Sequence, residues 1–472
     1  MLDGLDPDSA ETDWDRVHFV GIGGVGMSGI ARIMLARGAR VSGSDARESQ
    51  QTAGLRALGA SVRVGHDAAQ LGEARTVVVS NAIDEANPEI REARRLGLPV
   101  LHRATALASV MAGRRAVAVT GTVGKTSTTA MLTTTVRGCG LDPSFAIGGV
   151  LNATRSNAHH GDDPLFIAEA DESDSSFLLL SPDAAVITNI GAEDHLDAHG
   201  GAKEYARAFT RFVDRLPPGG IVVLGTDDPR VSRLAAHARE RVRVRTYGES
   251  PDADLRVSDI AVSPEGSTYR ALLDGVPLDR VRIGVPGAHM ALNSAAALLM
   301  ATELGLPADR AIGAIATYRG VGRRFEFKGE AADVRVYDDY ANYPTKVRAQ
   351  LRAARLVTRG GRLIVAFQPS LFSSAQRFAA EFGAALGLAD EVVVLDVSTA
   401  RERPVTGVTG ELVAERVPLA AGRVHFVPDR SAVAPALAAL AGPGDLVLTM
   451  GSGDVTLVGP ELLALLGAHG RS

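Results

Sequence analysis

A lysine and a threonine at the head of a helix, set behind two glycines, are the residues of this chain best placed to do chemistry. The apolar, β-branched run Val117-Ala118-Val119-Thr120 enters Gly121-Thr122-Val123-Gly124-Lys125-Thr126-Ser127, and a helical pattern then continues to Cys139. Such a turn leaves the N–H groups of the first helical turn free to face an anion and puts a lysine beside them. Lys125 would hold the β- and γ-phosphates of a nucleotide, and the Thr126 hydroxyl would ligate Mg2+. The general phosphate loop has four residues between its first glycine and the Gly-Lys pair, whereas only Thr122 and Val123 stand here. A plain strand-turn-helix connection with a solvated lysine therefore stays open.

Other reactive groups fall at strand ends. Leu165-Phe166-Ile167-Ala168 runs into Glu169-Ala170-Asp171-Glu172-Ser173-Asp174, and Ala184-Ala185-Val186-Ile187-Thr188 into a loop carrying Glu193, Asp194 and His195. An acid at the carboxyl end of a strand parallel to the phosphate-loop strand is where a magnesium ligand belongs, which singles out Glu169. His195, at a strand end in an acidic loop, reads as functional rather than structural. Nearer the N-terminus, Gly21, Gly23 and Gly26 of Gly21-Ile22-Gly23-Gly24-Val25-Gly26-Met27 satisfy the dinucleotide fingerprint, and Asp45 lies where a ribose-binding acid is expected. That fingerprint signals a phosphorylated nucleotide or simply a tight turn. Pro286-Gly287-Ala288-His289-Met290-Ala291-Leu292-Asn293 opens an alanine-rich helix, and Gly320-Val321-Gly322-Arg323-Arg324-Phe325 places two arginines after a glycine turn.

The elements that must position these groups alternate. Val17–Val20, Arg40–Ser44, Thr76–Val79 and Val100–Leu101 read as strands separated by helical patterns, the last of them over Asn87–Gly97. Val334–Tyr337, Leu363–Phe367, Glu391–Leu395 and Leu446–Thr449 repeat the buried-strand signature, so parallel sheets with crossover helices are expected. At about 150 residues per domain, the 472-residue chain divides into roughly three. The expected division is a disordered tail over 1–16, a Rossmann-like domain over 17–114, a phosphate-loop ATPase domain over 115–328 and a Rossmann-like domain over 329–472.

Composition excludes several classes. A formal net charge of −5 gives no basic footprint for nucleic acid. The single cysteine, Cys139, cannot form an intramolecular disulfide and fits a reducing compartment. No run reaches the ~18 apolar residues of a membrane span, and the acidic N-terminus is unlike a secretory signal. A soluble cytoplasmic protein, monomeric or homodimeric, is expected.

These motifs, in this order, resemble the Mur ligases over nearly the whole chain, from His18 to about Leu466. The resemblance rests on the glycine loop through Ser28 and Gly29, the short phosphate loop, Glu169 to Asp174, His289 with Asn293, Arg323-Arg324-Phe325, Asp338-Asp339-Tyr340 and Gly451-Ser452-Gly453-Asp454. It accounts for the loop spacing, since this family's phosphate loop is the shorter one. It implies three α/β domains binding a UDP-sugar, ATP and an amino acid, and a reaction through an acyl phosphate that joins L-alanine to UDP-N-acetylmuramate for peptidoglycan. Gly21, Gly23, Gly24, Gly26, Met27, Ser28 and Asp45 would then meet the UDP-sugar. Gly121, Thr122, Gly124, Lys125, Thr126 and Ser127 would meet ATP, with His289 and Asn293 at its adenine end and Arg324 and Asp339 reaching it from the third domain. Thr126, Glu169 and His195 would hold Mg2+, and Lys125, Glu169, His195 and Arg324 would be the catalytic set.

The chain departs from the family pattern at Val123, Asn342, Tyr343, Ser370 and Ser374, where the family carries imidazoles and, at Ser374, an arginine. A serine cannot replace a bidentate guanidinium clamp, so alanine ligation is expected to be weakened if Ser374 stands at the amino-acid carboxylate. Asn342, Tyr343, Ser370 and Ser374 are carried as substrate-binding candidates. Besides the alanine ligase, two readings stay open: an amide ligase repurposed for another acid or amine, and a non-catalytic nucleotide-binding protein.

Overall fold

The computed structural model describes residues 12–191, 201–398 and 402–469. Their strands form three sheets, as the α/β expectation requires. Two compact units hold them: the first takes in everything described up to Ile260 with Thr268–Ile283 and His289–Arg319, and the second Ala261–Ser267, Gly284–Ala288 and Gly320 onward.

The first unit begins with an all-parallel sheet of β1 (Arg16–Val20), β2 (Arg40–Asp45), β3 (Ser61–Val64), β4 (Thr76–Val79) and β5 (Val100–His102) in the order β3-β2-β1-β4-β5. β1 is central and covered on both faces, so Val17, Phe19 and Val20 are all buried and the strand reads as an unbroken apolar run. The order reverses at β1, which places its carboxyl-end loop at the crevice where such sheets take ligands. Of the tail expected over 1–16, residues 1–11 lie outside the described residues, while Trp14 packs on the core and the Asp13 carbonyl accepts from the Thr76 hydroxyl at 2.7 Å.

A second, mixed sheet of eleven strands follows, all but the ends of two strands in the same unit. Its parallel centre is β12 (Arg243–Gly248), β11 (Ile221–Gly225), β10 (Ala184–Ile187), β6 (Arg115–Thr120) and β9 (Leu165–Glu169), in that order. Val117, Ala118 and Val119 of β6 are fully buried, which fixes the height at which the strand hands over to Gly121. Sequence reading missed the flanks. The hairpin of β7 (Ser144–Leu151) and β8 (Ser156–His159) extends one edge, and β13 (Leu255–Ser263), β14 (Gly266–Leu273), β15 (Val276–Pro277) and β16 (Val281–Ile283) extend the other.

The second unit carries β17 (Glu326–Ala331), β18 (Val334–Asp339), β19 (Leu363–Gln368), β20 (Glu391–Val394), β21 (Val424–Phe426) and β22 (Leu446–Gly451), ordered β17-β18-β22-β19-β20-β21. Only β17 is antiparallel. Separate apolar clusters cover its two faces, one around Leu351, Phe367 and Phe382 and one around Val336, Val393 and Leu462. Arg323 and Arg324 fall in this unit, ahead of the boundary expected at 329.

Candidate active site

The phosphate loop takes the conformation its residues suggest. Gly124 caps the helix Lys125–Gly138 in the left-handed region at φ 89°. A Cβ there would also stand 2.5 Å from the Asn293 Oδ1 atom, so glycine is required twice over. Behind it, Thr188 and Asn189 clamp the loop: the Thr188 hydroxyl and the Asn189 amide donate to the Val123 carbonyl at 2.7 and 2.8 Å, and Asn189 Oδ1 accepts from Val123 N at 3.0 Å. Val123 itself is 40 % exposed, so its side chain leaves the clamp alone. Gly124→Ala is expected to lower stability by about 1–2 kcal/mol from backbone strain and to weaken nucleotide binding. Thermal unfolding and calorimetric titration check the two effects separately.

Lys125 is already engaged. Its Nζ lies 2.6 Å from Glu172 Oε2 and donates to the Gly121 carbonyl at 2.8 Å. Burial opposes its charge, but Glu172, Asp171 and Glu169 together raise its pKa, so the ammonium is held charged. Burial pushes Glu172 up, with Lys125 pulling the other way. The Tyr205 hydroxyl donates to Glu172 Oε1 at 3.2 Å and bonds the Thr122 hydroxyl at 2.8 Å, and Gly191 N donates to Thr122 Oγ1 at 2.6 Å. Neither Glu172 nor Tyr205 was assigned a role from sequence. The only available signal was that Glu172 stands among acids at a strand end.

Glu169 ends β9 beside the loop. Its Oε1 accepts from the Thr126 hydroxyl at 2.9 Å and its Oε2 from Gly148 N at 2.6 Å. Thr126 and Glu169 thus present adjacent hard oxygen donors, a set whose chemistry would suit Mg2+. Among the described residues no cluster of three or more His, Cys, Asp or Glu forms a metal cage. His195 and Glu193 lie outside the described residues.

At the glycine loop, Gly21 N and Ile22 N donate to the Ser44 carbonyl at 2.8 and 2.9 Å, folding the chain tightly over β2. Asp45, expected at a ribose, accepts from Gly23 N at 2.9 Å, so its carboxylate shapes the loop in this structure. Gly24 is exposed, but Met27 and Ser28 are buried on the inner side of the helix Val25–Ala36. There Asn157 of β8 donates to the Val25 carbonyl at 2.6 Å and to Ser28 Oγ at 3.2 Å.

His289 and Asn293 lie one turn apart on the helix Ala288–Glu303, whose alanines from Ala291 on are buried. Asn293 reaches Gly124, and burial pushes the His289 imidazole down to about 4. A His pKa that is lower in the folded than in the unfolded chain leaves stability flat above about pH 6.5. Stability then falls as pH drops towards 4, because only the unfolded state takes up the proton. In His289→Gln this part of the acid destabilisation should vanish, as denaturant midpoints between pH 4 and 7 would report.

In the second unit, β18, β22 and β19 are parallel neighbours, so Asp339, Gly451 and Gln368 end side by side. Asp339 accepts from Phe325 N and Ala341 N, each at 2.7 Å, and burial raises its pKa to about 6 against the pull of Arg324. Arg324 lies 5.1 Å over the Tyr340 ring. Arg323 ties strand ends together, donating to the Gly451 carbonyl at 2.6 Å. Ser370 bonds Ser452 Oγ at 2.6 Å, and Ser374 is buried on the helix Phe372–Leu386. Asn342 and Tyr343 are half-buried, the latter with Lys346 5.4 Å over its ring.

A parallel nucleotide-type sheet, a short phosphate loop with an acid at the neighbouring strand end, and a further α/β sheet are the parts of an ATP-dependent ligase. Three family models match in succession: the catalytic domain of the Mur ligase family over residues 16–115, the Mur ligase middle domain over 119–301 and the Mur ligase glutamate ligase domain over 323–453. The chain belongs to the Mur ligase family. It is 54% identical over 469 residues to a UDP-N-acetylmuramate–L-alanine ligase of Saccharopolyspora erythraea, covering 98% of this chain and 95% of that one. It is 55% identical over 456 residues to the protein of that name from Kineococcus radiotolerans, covering 96% of each. The crystal structure of UDP-N-acetylmuramate-alanine ligase from Thermotoga maritima superposes with a TM-score of 0.83 at 28% identity, over 96% of this chain and 99% of that chain.

Proposed function

We propose that the chain is an ATP-dependent ligase that joins L-alanine to UDP-N-acetylmuramate, the first amino-acid addition to the peptidoglycan precursor. The observation that carries this is the 54% identity over 98% of the chain to a ligase of that name. The substrate carboxylate attacks the γ-phosphate of ATP, giving an acyl phosphate and ADP. The amine then attacks the acyl carbon, and phosphate leaves. Both steps gather negative charge, so fixed cations and dipoles carry the catalysis.

Within the first unit, the Gly121–Ser127 loop binds the phosphates, and Lys125 turns from Glu172 to meet them. Thr126 and Glu169 would hold Mg2+, which would supply neutralisation of the phosphate charge when bound. His289 and Asn293 take the adenine end, and the Gly21–Gly26 loop takes the UDP-sugar. In the second unit, Asn342, Tyr343, Ser370 and Ser374 are assigned to the incoming amino acid. The expectation that alanine ligation is weakened, if Ser374 stands at the amino-acid carboxylate, is decided by the alanine arm of the test below. Among the described residues no helix is long and apolar enough to cross a membrane.

The test is phosphate release from ATP and Mg2+ by purified protein given UDP-N-acetylmuramate and a panel of amino acids and amines, with products weighed by mass spectrometry. Alanine-dependent release with a UDP-N-acetylmuramoyl-alanine product is expected. Release with a different amine alone would refute the alanine assignment, and ATP binding without any release would refute the activity.

A further inference from the structure

β9 ends in Glu169, and Asp171, Glu172 and Asp174 follow it, so this strand end is rich in acids. A UDP-sugar acid adds two phosphates and a carboxylate. Lys125 is bound to Glu172 and belongs to the other nucleotide. Arg103 is a cation beside the glycine loop. It opens the helix Arg103–Met111, where the helix dipole disfavours a positive charge. Its guanidinium reaches back over the first turn of the helix Val25–Ala36, a second positive helix end: a Cβ built on Gly26 would stand 2.8 Å from Arg103 Nη1. Two positive helix ends flank this guanidinium, and their free N–H groups favour an anion beside it.

Asp171 keeps it there. Arg103 Nη2 meets Asp171 Oδ2 at 2.7 Å, and the two side chains stay 27 % and 35 % exposed, so the pair is anchored on one side and open on the other. Asp171 follows by two residues Glu169, which accepts from Thr126. Arg103 thus stands between the glycine loop and the phosphate loop.

We propose that Arg103 is a binding residue for the sugar nucleotide, its free guanidinium edge gripping an oxyanion, diphosphate or carboxylate, of the acid held on the Gly21–Gly26 loop. This rests on the UDP-sugar assignment above. A planar fork gives the bidentate grip that a lysine cannot.

Calorimetric titration of wild type, Arg103→Met, Arg103→Lys and Asp171→Asn with UDP-N-acetylmuramate, UDP-N-acetylglucosamine and ATP tests it. Arg103→Met should weaken UDP-N-acetylmuramate at least tenfold, Arg103→Lys and Asp171→Asn less, with ATP affinity changed no more than twofold. A parallel loss for UDP-N-acetylglucosamine assigns the diphosphate, and its absence assigns the carboxylate. Unchanged UDP-sugar binding in Arg103→Met beside normal wild-type binding overturns this assignment alone, as does an equal loss for ATP. A wild type that binds neither UDP-sugar overturns both this and the substrate reading.

Discussion

Lys125→Met is expected to abolish ATP-dependent ligation, by roughly a thousandfold or more, as loss of a preorganised charge at a transferring phosphoryl group should. It should also destabilise the protein. Lys125 Nζ sits 2.6 Å from Glu172 Oε2, and the Glu172 side chain is wholly buried. Removing the ammonium leaves the Tyr205 hydroxyl at 3.2 Å as a neutral donor to a buried carboxylate. Breaking one side of a buried pair costs about 3–5 kcal/mol. The double variant Lys125→Met/Glu172→Gln removes the stranded charge, so it should recover most of the stability while activity stays lost. Chemical denaturation of the three proteins beside their turnover separates the two roles. Equal stability of wild type and Lys125→Met would mean that the ion pair does not hold the resting loop.

That pairing shows where sequence reading stops. Val117–Val119, Ile364–Phe367 and Leu446–Leu448 are legible as strands because they are covered on both faces, and full burial of a parallel strand writes a continuous apolar run. Helix ends were legible for a similar local reason. Asn87 caps the helix Pro88–Arg95 with its side chain, and Gly124 has the positive φ that only its lack of a Cβ makes cheap. The β7–β8 hairpin and the β13–β16 extension were missed. Leu255–Ser263 has only Leu255 and Val257 buried and then alternates half-exposed and exposed residues, a weaker signal that polar loops also produce.

Partners are a different kind of information. Spacing put Asp45 at the end of β2, but that its carboxylate closes on Gly23 N follows from a side-chain geometry no spacing encodes. Ser370 finds Ser452 across 82 residues because β19 and β22 are register neighbours, which requires the sheet order. Arg103 was passed over since an arginine opening a helix is unremarkable until Gly26 and Asp171 are seen beside it.

Glu169→Gln should remove a charge and little else. The carboxylate accepts from the Thr126 hydroxyl at 2.9 Å and from Gly148 N at 2.6 Å. A glutamine can turn its oxygen to Gly148 and its amide to Thr126, whose hydroxyl then accepts, so every local hydrogen bond survives. Stability is therefore expected to stay within about 0.5 kcal/mol, as for a surface change that breaks no buried feature. Activity should fall by about 10²–10³, the scale on which loss of one charge-stabilising group acts. If Glu169 and Thr126 share a hard cation, the neutral amide is the poorer donor, and the Mg2+ concentration for half-maximal rate should rise markedly at fixed ATP. Initial rates across a Mg2+ series for the two proteins decide it. A lowered maximal rate with an unchanged Mg2+ midpoint would place the carboxylate's effect on the transferring phosphoryl group and remove it from the metal site.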